Sequence, residues 1–135
     1  MNNNWKGLIF DGSEQNIKQI KQNSFFWKYD LTACQAFITA ENISPHIENN
    51  FIGEIGILSI DIDGNDYWVW KAIDGVEPDI VIVEYNSVFA KERAITIPYD
   101  PQFNRTLAHY SNLYFGASLK ALNSLVYEKG YFLAG

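Results

Sequence analysis

Three carboxylates surround one glycine in the segment ILSIDIDGNDYWVW, which runs from Ile57 to Trp70. Asp61, Asp63 and Asp66 follow a short apolar run, at the point where the pattern predicts that a buried strand ends. Carboxylates accept hydrogen bonds from hydroxyl and amino groups and attract cations, whereas they repel phosphate. The segment therefore predicts a site for a ribose diol, an organic cation or a metal ion.

Four apolar runs predict the strands that would position these acids. They are GLIFDG (7–12), CQAFITAEN (34–42), GILSIDIDGND (56–66) and DIVIVEYN (79–86). Each run is rich in Ile, Val or Phe without strict alternation, which is typical of parallel strands that helices cover on both faces. A last strand is expected in YFLAG (131–135).

Helical patterns separate several of the runs. Ser13 is a suitable N-cap for a helix that carries Ile17 and Ile20 on one face. YWVWKAI (67–73) predicts a short helix, and GASLKALNSLVYEKG (116–130) predicts a longer one that ends at Gly130. The alternation indicates one α/β domain over residues 1–135, with a mainly parallel sheet flanked by helices.

Acids also end the other predicted strands. The residues at or just past the carboxyl ends are Asp11, Glu41, Asp61, Asp63 and Glu84. Open α/β sheets bind ligands at that edge, so we expect these carboxylates to converge on one crevice. Any one of them is as readily explained as a turn former or a helix cap. The sequence contains neither G-x-G-x-x-G nor G-x-x-x-x-G-K-[ST], so no phosphate cradle is indicated.

Composition limits the class of partner. The net charge of −6 argues against a nucleic-acid backbone or an anionic membrane as partner, because both need clustered Lys and Arg. Cys34 is the single cysteine, so no internal disulfide is possible and a cytoplasmic location is expected. No apolar run approaches the roughly 20 residues that span a bilayer.

Four segments together resemble a known family. SIDIDGNDYWVWKAI, PDIVIVEYN, IPYDP and YFGASLKALNSLVYEKGY resemble FkbM-like methyltransferases, which are class I, Rossmann-like enzymes that use S-adenosylmethionine. WKGLIFDGSEQNIKQI resembles the second strand and following helix of that fold. The resemblance spans nearly the whole chain in order, and its most specific parts are DIDGNDYWVW and YFGASLKAL.

The resemblance implies a role for each matching position. Asp11, next to Gly12, would hold the ribose hydroxyls of S-adenosylmethionine, and Glu41 and Asn42 would lie near its adenine. Asp61 and Asp63 would lie beside the methionine part and the acceptor. The remaining acceptor-facing candidates at these strand ends are Asp66, Glu84, Tyr85 and Asn86. Methyl transfer of this type depends chiefly on alignment, and Asp63 or Glu84 would be the base for a hydroxyl acceptor. No metal is required.

The segment between Asn86 and Phe115 has weak periodicity, two prolines and several aromatic residues. Long segments of this kind are often functional, and this one follows a strand end, so it predicts a lid over the crevice. Arg105, His109, Tyr110 and Tyr114 are candidates to line the acceptor site. The alternative is that the aromatic side chains only pack the segment down.

The resemblance also implies that parts of the family fold are missing. Only MNNNWK precedes the expected second strand, whereas a strand, a glycine-rich turn and a helix need roughly 25 to 30 residues. The family usually adds a final hairpin beyond YFLAG. We therefore expect an incomplete methyltransferase fold with poor or absent affinity for S-adenosylmethionine. Either the remaining strands close up, or a partner covers the open edges, and a homo-oligomer is expected.

Two other functions fit parts of the sequence. Without its glycine-rich turn, the chain could be a catalytically inactive interaction module. IDIDGND also resembles the first motif of haloacid-dehalogenase-like phosphatases, in which Asp61 would be the nucleophile, Asp63 the acid, and magnesium would bind both. Against that, Asn65 replaces the usual Thr, and no convincing downstream acidic pair exists.

Overall fold

The computed structural model describes residues 6–134. They form two compact units, an amino-terminal unit that ends at Gly53 and a carboxyl-terminal unit that begins at Glu54. Each unit contains a short parallel sheet and helices, so the α/β class expected from the sequence is confirmed. None of the helices in residues 6–134 has both the length and the apolar character needed to cross a membrane.

The amino-terminal unit is built around two paired strands. Its elements are β1 (Lys6–Asp11), α1 (Glu14–Gln22), α2 (Ser24–Lys28), β2 (Asp30–Gln35) and α3 (Ile43–Asn50). The strands are parallel, with Lys6 opposite Asp30 and Asp11 opposite Gln35. As expected, Ser13 caps α1, and its side chain accepts a hydrogen bond from the Asn16 N–H. The buried apolar residues of this unit are Ile17, Ala33, Ile43 and Ile47.

The carboxyl-terminal unit contains the second pair of strands. Its elements are β3 (Ile57–Ile60), α4 (Asp66–Ala72), β4 (Ile80–Val83), a 3-10 turn (Ser87–Phe89), α5 (Arg105–Ala108) and α6 (Leu119–Glu128). β3 and β4 are parallel, with Ile57 opposite Ile80 and Ile60 opposite Val83. The core of this unit includes Val69, Trp70, Ile97, Leu122 and Leu125.

The long helix α6 lies within the predicted range and ends at Gly130, as its sequence predicts. Ser118 is fully buried, and its hydroxyl oxygen accepts a hydrogen bond from the Ala121 N–H at the helix start. Gly130 has φ +80°, the left-handed conformation that glycine adopts without a Cβ penalty. Its N–H donates to the Tyr127 carbonyl, and the Tyr131 N–H donates to the Val126 carbonyl. The helix therefore ends at the glycine that the pattern indicated, and it begins at a serine cap that the sequence analysis did not identify.

Two strand predictions are wrong in part. The second strand covers residues 30–35, whereas the prediction placed it at 34–42. The Asn42 side chain accepts a hydrogen bond from the Thr39 N–H at 2.8 Å and donates one to the Phe37 carbonyl at 2.9 Å, which fixes a turn after the strand. Residues 131–134 are not a strand, and Gly135 lies outside the described part of the chain.

Candidate functional site

Three carboxylates meet at the carboxyl ends of β3 and β4. Asp61 directly follows Ile60, and Glu84 directly follows its cross-strand partner Val83, so the register brings the two acids to the same edge. One oxygen from each of Asp61, Asp63 and Glu84 lies within 4.8 Å of the others. We call these three residues the acid cluster. The convergence expected from the sequence is therefore present for the residues of this unit.

The turn that follows β3 is folded around a buried carboxylate. Asp66 is 1% exposed, and its two oxygens accept hydrogen bonds from the Ile62 N–H at 3.0 Å and the Gly64 N–H at 2.9 Å. Asp63 has φ +60°, a left-handed conformation that Asp tolerates better than most residues. Asp66 was expected to contact the acceptor, and in the structure its carboxylate instead shapes the turn that presents Asp63.

The segment from Tyr99 to Gly116 is fastened over this turn. A Cβ at Gly64 would overlap the ring of Phe103, so only glycine lets that ring approach the turn. The Gly64 carbonyl accepts a hydrogen bond from the Gly116 N–H at 3.0 Å. The Asn65 side chain donates to the Asp100 carbonyl at 2.7 Å. These contacts give the segment a fixed place at the carboxyl edge of the sheet, and we call residues 99–116 the lid segment after the role that the sequence predicted.

Arg105 links the lid segment to the acid cluster. Its Nη1 donates to Asp63 Oδ1 at 2.9 Å, and its Nε donates to the Asn112 carbonyl at 2.9 Å. The guanidinium carbon lies 3.6 Å from the ring centroid of Phe115, which is buried. The guanidinium therefore partly balances the negative charge of the cluster and holds the lid segment against it.

Asn86 anchors the far end of the same segment. Its side chain is 2% exposed and donates to the carbonyls of Leu113 at 2.8 Å and Phe115 at 2.9 Å. Its Oδ1 accepts from the Val88 N–H at 2.9 Å. Asn86 was expected to face the acceptor, and its amide group is fully used in positioning backbone. Its neighbour Tyr85 is 45% exposed.

The aromatic candidates of the lid segment lie at its surface. The His109 and Tyr110 rings pack at 4.3 Å between centroids, and Tyr110 is 93% exposed. The His109 Nδ1 lies 2.7 Å from the Ser111 hydroxyl oxygen. Tyr114 is 42% exposed and its ring lies 6.5 Å from that of Phe103. Among the aromatic residues at positions 99–116, only Phe115 is buried, and sequence reasoning did not select it.

Burial and neighbouring charge favour the protonated form of two acids. The pKa of Glu84 is raised, first by burial and then by the carboxylates of Asp61 and Asp66, while Arg105 opposes the shift. Glu84 Oε2 is buried and has no hydrogen-bond partner within the described part of the chain. Burial also raises the pKa of Asp66, although the N–H groups of Ile62 and Gly64 oppose the shift. The raised pKa makes Glu84 a stronger proton acceptor than a solvent-exposed glutamate.

The predicted cofactor residues of the amino-terminal unit have local partners. Asp11 accepts hydrogen bonds from the Ser13 N–H at 2.7 Å and from the Asn16 side chain at 3.0 Å, which closes the turn from β1 into α1. Gly12 is exposed in that turn. Glu41 and Asn42 lie beyond the end of β2, in the turn that leads into α3. Asp11 and Asn42 thus have structural roles, and the three hydrogen bonds to Asp11 leave one lone-pair position on Oδ2 for a hydroxyl group.

A separate cavity of about 670 Å³ lies near the amino end of β4. Its walls include Trp70 and Tyr131, with the charged side chains of Asp74, Glu77 and Lys129. Lys129 donates to the Ile73 carbonyl at 2.8 Å, and burial lowers its pKa. The residues of the acid cluster are not among those that line it.

Sequence reasoning did not select three residues that hold distant segments of the chain in place. Asn65, Phe103 and Ser118 carry no local pattern that distinguishes them, because each acts through contacts with a distant segment. Ser118, for example, donates to the Arg93 carbonyl at 2.8 Å and accepts from the Ile95 N–H at 3.0 Å.

Comparison of the chain with protein-family models, with curated proteins and with solved structures found no match.

Proposed function

We propose that this chain is S-adenosylmethionine-dependent and methyltransferase-like, with a Rossmann-like arrangement of its strands, and that the acid cluster lies at the methyl-transfer site. The proposal rests on one observation, the close approach of the three carboxylates of the acid cluster. Asp61, Asp63 and Glu84 come from two adjacent parallel strands and from separate parts of the chain, yet their oxygens lie within 4.8 Å of one another.

The chemistry of these groups fits the cofactor. When bound, S-adenosylmethionine supplies a methyl group on a positively charged sulfonium, and it also carries an ammonium group. Carboxylates stabilise both cations, and the acid cluster supplies three of them within one unit. The fit is weaker for the phosphates of a dinucleotide, because the cluster would repel them.

Among the acids, Glu84 suits the role of base better than Asp63. Its pKa is raised by burial and by Asp61 and Asp66, so it accepts a proton more readily at neutral pH. Asp63 is already paired with Arg105 at 2.9 Å. We therefore assign Glu84 to hold the proton of a hydroxyl acceptor, and Asp63 to position the lid segment through Arg105. Small-molecule acceptors fit this assignment, and Tyr85 and Tyr114 are exposed enough to contact one.

A paired calorimetric titration tests the proposal. S-adenosylhomocysteine lacks the sulfonium charge, whereas sinefungin carries an amine at the corresponding position. A ligand charge close to the cluster predicts tighter binding of sinefungin, by roughly tenfold for a gain of about 1.4 kcal/mol. Glu84→Gln should reduce that preference, and the matched control Glu77→Gln should not. Equal affinities for the two ligands in the wild-type chain, or no binding of either at millimolar concentration, would contradict the proposal.

The same cluster supports a second candidate, a magnesium-dependent phosphatase of the haloacid-dehalogenase type. Three carboxylate oxygens at this spacing could hold a divalent cation, with Asp61 as nucleophile and Asp63 as acid. Magnesium titration distinguishes the two candidates. Tight magnesium binding that is lost in Asp61→Asn, together with hydrolysis of a phosphate monoester, would favour the phosphatase and count against the methyltransferase.

We also propose a cytoplasmic location, because a chain with the single cysteine Cys34 suits a reducing compartment. We propose a homo-oligomer, because open strand edges are stabilised by pairing with another chain. A catalytically inactive interaction module is the outcome to accept if neither cofactor analogue nor magnesium binds.

A further inference from the structure

One face of the β3–β4 sheet is apolar and exposed. Across the two strands, Ile57 lies opposite Ile80 and Ser59 lies opposite Ile82. The three isoleucines are 51%, 53% and 54% exposed in the order of their numbers. The alternate residues of both strands are half-buried or buried, so the strands have one covered and one open face. We call Ile57, Ser59, Ile80 and Ile82 the isoleucine face.

An open face of this kind is unusual for parallel strands. Strands of parallel sheets are normally buried on both faces, because the crossover connections place helices there. The isoleucine side chains are of the type that gains most from burial, and their β-branched shape packs well on a helix. The face is therefore suited to receive a helix.

The isoleucine face becomes acidic toward the carboxyl edge of the sheet. Side chains alternate along a strand, so Asp61 continues the row of Ile57 and Ser59, and Glu84 continues the row of Ile80 and Ile82. A complementary surface must be apolar at one end and positively charged at the other. The amino terminus of an α-helix carries a partial positive charge, and basic residues just before it add to that charge.

We propose that the isoleucine face binds one amphipathic α-helix of a partner protein. Its apolar stripe covers Ile57, Ile80 and Ile82, and its amino terminus, preceded by Lys or Arg, lies beside Asp61 and Glu84. A second copy of this chain fits less well, since three half-exposed isoleucines offer far less area than the about 800 Å² that each partner of a stable pair buries. A single helix in contact with a small apolar surface needs less. The proposal does not depend on methyl transfer, and a helix bound in this way would compete with S-adenosylmethionine for Asp61 and Glu84.

A designed peptide tests the proposal. The probe is a fluorescently labelled helical peptide of about 14 residues with two lysines before a leucine stripe, and its binding is followed by fluorescence anisotropy. We expect the double variant Ile80→Ser/Ile82→Ser to bind at least about tenfold more weakly than the wild-type chain. Ile52→Ser is the matched control, because Ile52 is 85% exposed in the amino-terminal unit. It should leave the affinity unchanged.

Circular dichroism shows whether the double variant is folded. Two measurements on the wild-type chain test the proposal even if the double variant is unstable. Replacing the two lysines of the peptide by glutamates should weaken binding to the wild-type chain, and rising salt should weaken binding of the lysine peptide. The proposal is overturned by wild-type chain that does not bind the lysine peptide, or binds both peptides equally. It is also overturned by a wild-type dimer in sedimentation that Ile82→Ser converts to monomer, because a second copy would then occupy the face.

Discussion

Replacing Arg105 by methionine removes the link between the lid segment and the acid cluster while keeping a long unbranched side chain. The guanidinium makes three contacts, with Asp63, with the Asn112 carbonyl and with the Phe115 ring. Because these contacts join the lid segment to the turn after β3 and to the core, we expect a measurable loss of stability in the carboxyl-terminal unit.

The size of the loss can be worked from the geometry. The Asp63 side chain is 72% exposed, so its ion pair contributes between about 0 and 1 kcal/mol. The cation–π contact on the buried Phe115 ring contributes about 1 kcal/mol, and the hydrogen bond to Asn112 about 1 kcal/mol. Arg105→Met should therefore lower the free energy of unfolding by about 2 kcal/mol, and Asp63→Asn by less than about 1 kcal/mol.

Urea unfolding followed by tryptophan fluorescence measures both losses. Trp5 and Trp27 are replaced by phenylalanine in every sample, so that the signal comes from Trp68 and Trp70 in the carboxyl-terminal unit. If Asp63→Asn destabilises this unit as much as Arg105→Met, the ion pair and not the ring and carbonyl contacts holds the segment, and the reasoning is refuted.

Three other changes test the rest of the site. Gly64→Ala should cost about 1–3 kcal/mol in urea unfolding, because its Cβ overlaps Phe103, and the added change Phe103→Leu should recover part of the loss. Asn86→Ala should cost about 2 kcal/mol by the same assay, because it leaves the buried carbonyl of Phe115 and the part-buried carbonyl of Leu113 without a donor. Glu84 and Asp66 have raised pKa values in the folded state, so the folded chain binds more protons than the unfolded chain. Stability should fall as the pH rises above about 3.8 for Asp66 and about 4.5 for Glu84, through the raised pKa of each. Urea unfolding at several pH values should show a smaller fall for Glu84→Gln, and an unchanged pH profile would contradict the assigned burial of that carboxylate.

Local patterns were sufficient to predict most of the elements. The Ser13 cap, the helix that follows it, and the end of α6 at Gly130 depend on residues close together in the chain, and all three are confirmed. The strands at 57–60 and 80–83 were also found, because β-branched residues and flanking acids mark them. The acid cluster followed from these two strands, since parallel register alone brings their carboxyl ends together.

Longer-range contacts explain what sequence reasoning missed. The run from Phe37 to Thr39 has strand character, yet the Asn42 side chain closes a turn there. Asp66 and Asn86 were selected because they follow strands, but backbone groups from the turn and the lid segment use their hydrogen-bonding capacity. No local pattern distinguishes a carboxylate or amide that binds backbone from one that remains free for a ligand.

We propose above that the acid cluster lies at a site for S-adenosylmethionine. The most direct test is an NMR titration of the ¹⁵N-labelled chain with S-adenosylhomocysteine in magnesium-free buffer. We expect saturable shifts of the backbone signals of Asp61, Asp63 and Glu84, with smaller effects at Asp74, which lies beyond the carboxyl end of α4. Saturable shifts confined to other residues, or no shifts at millimolar ligand, would contradict it.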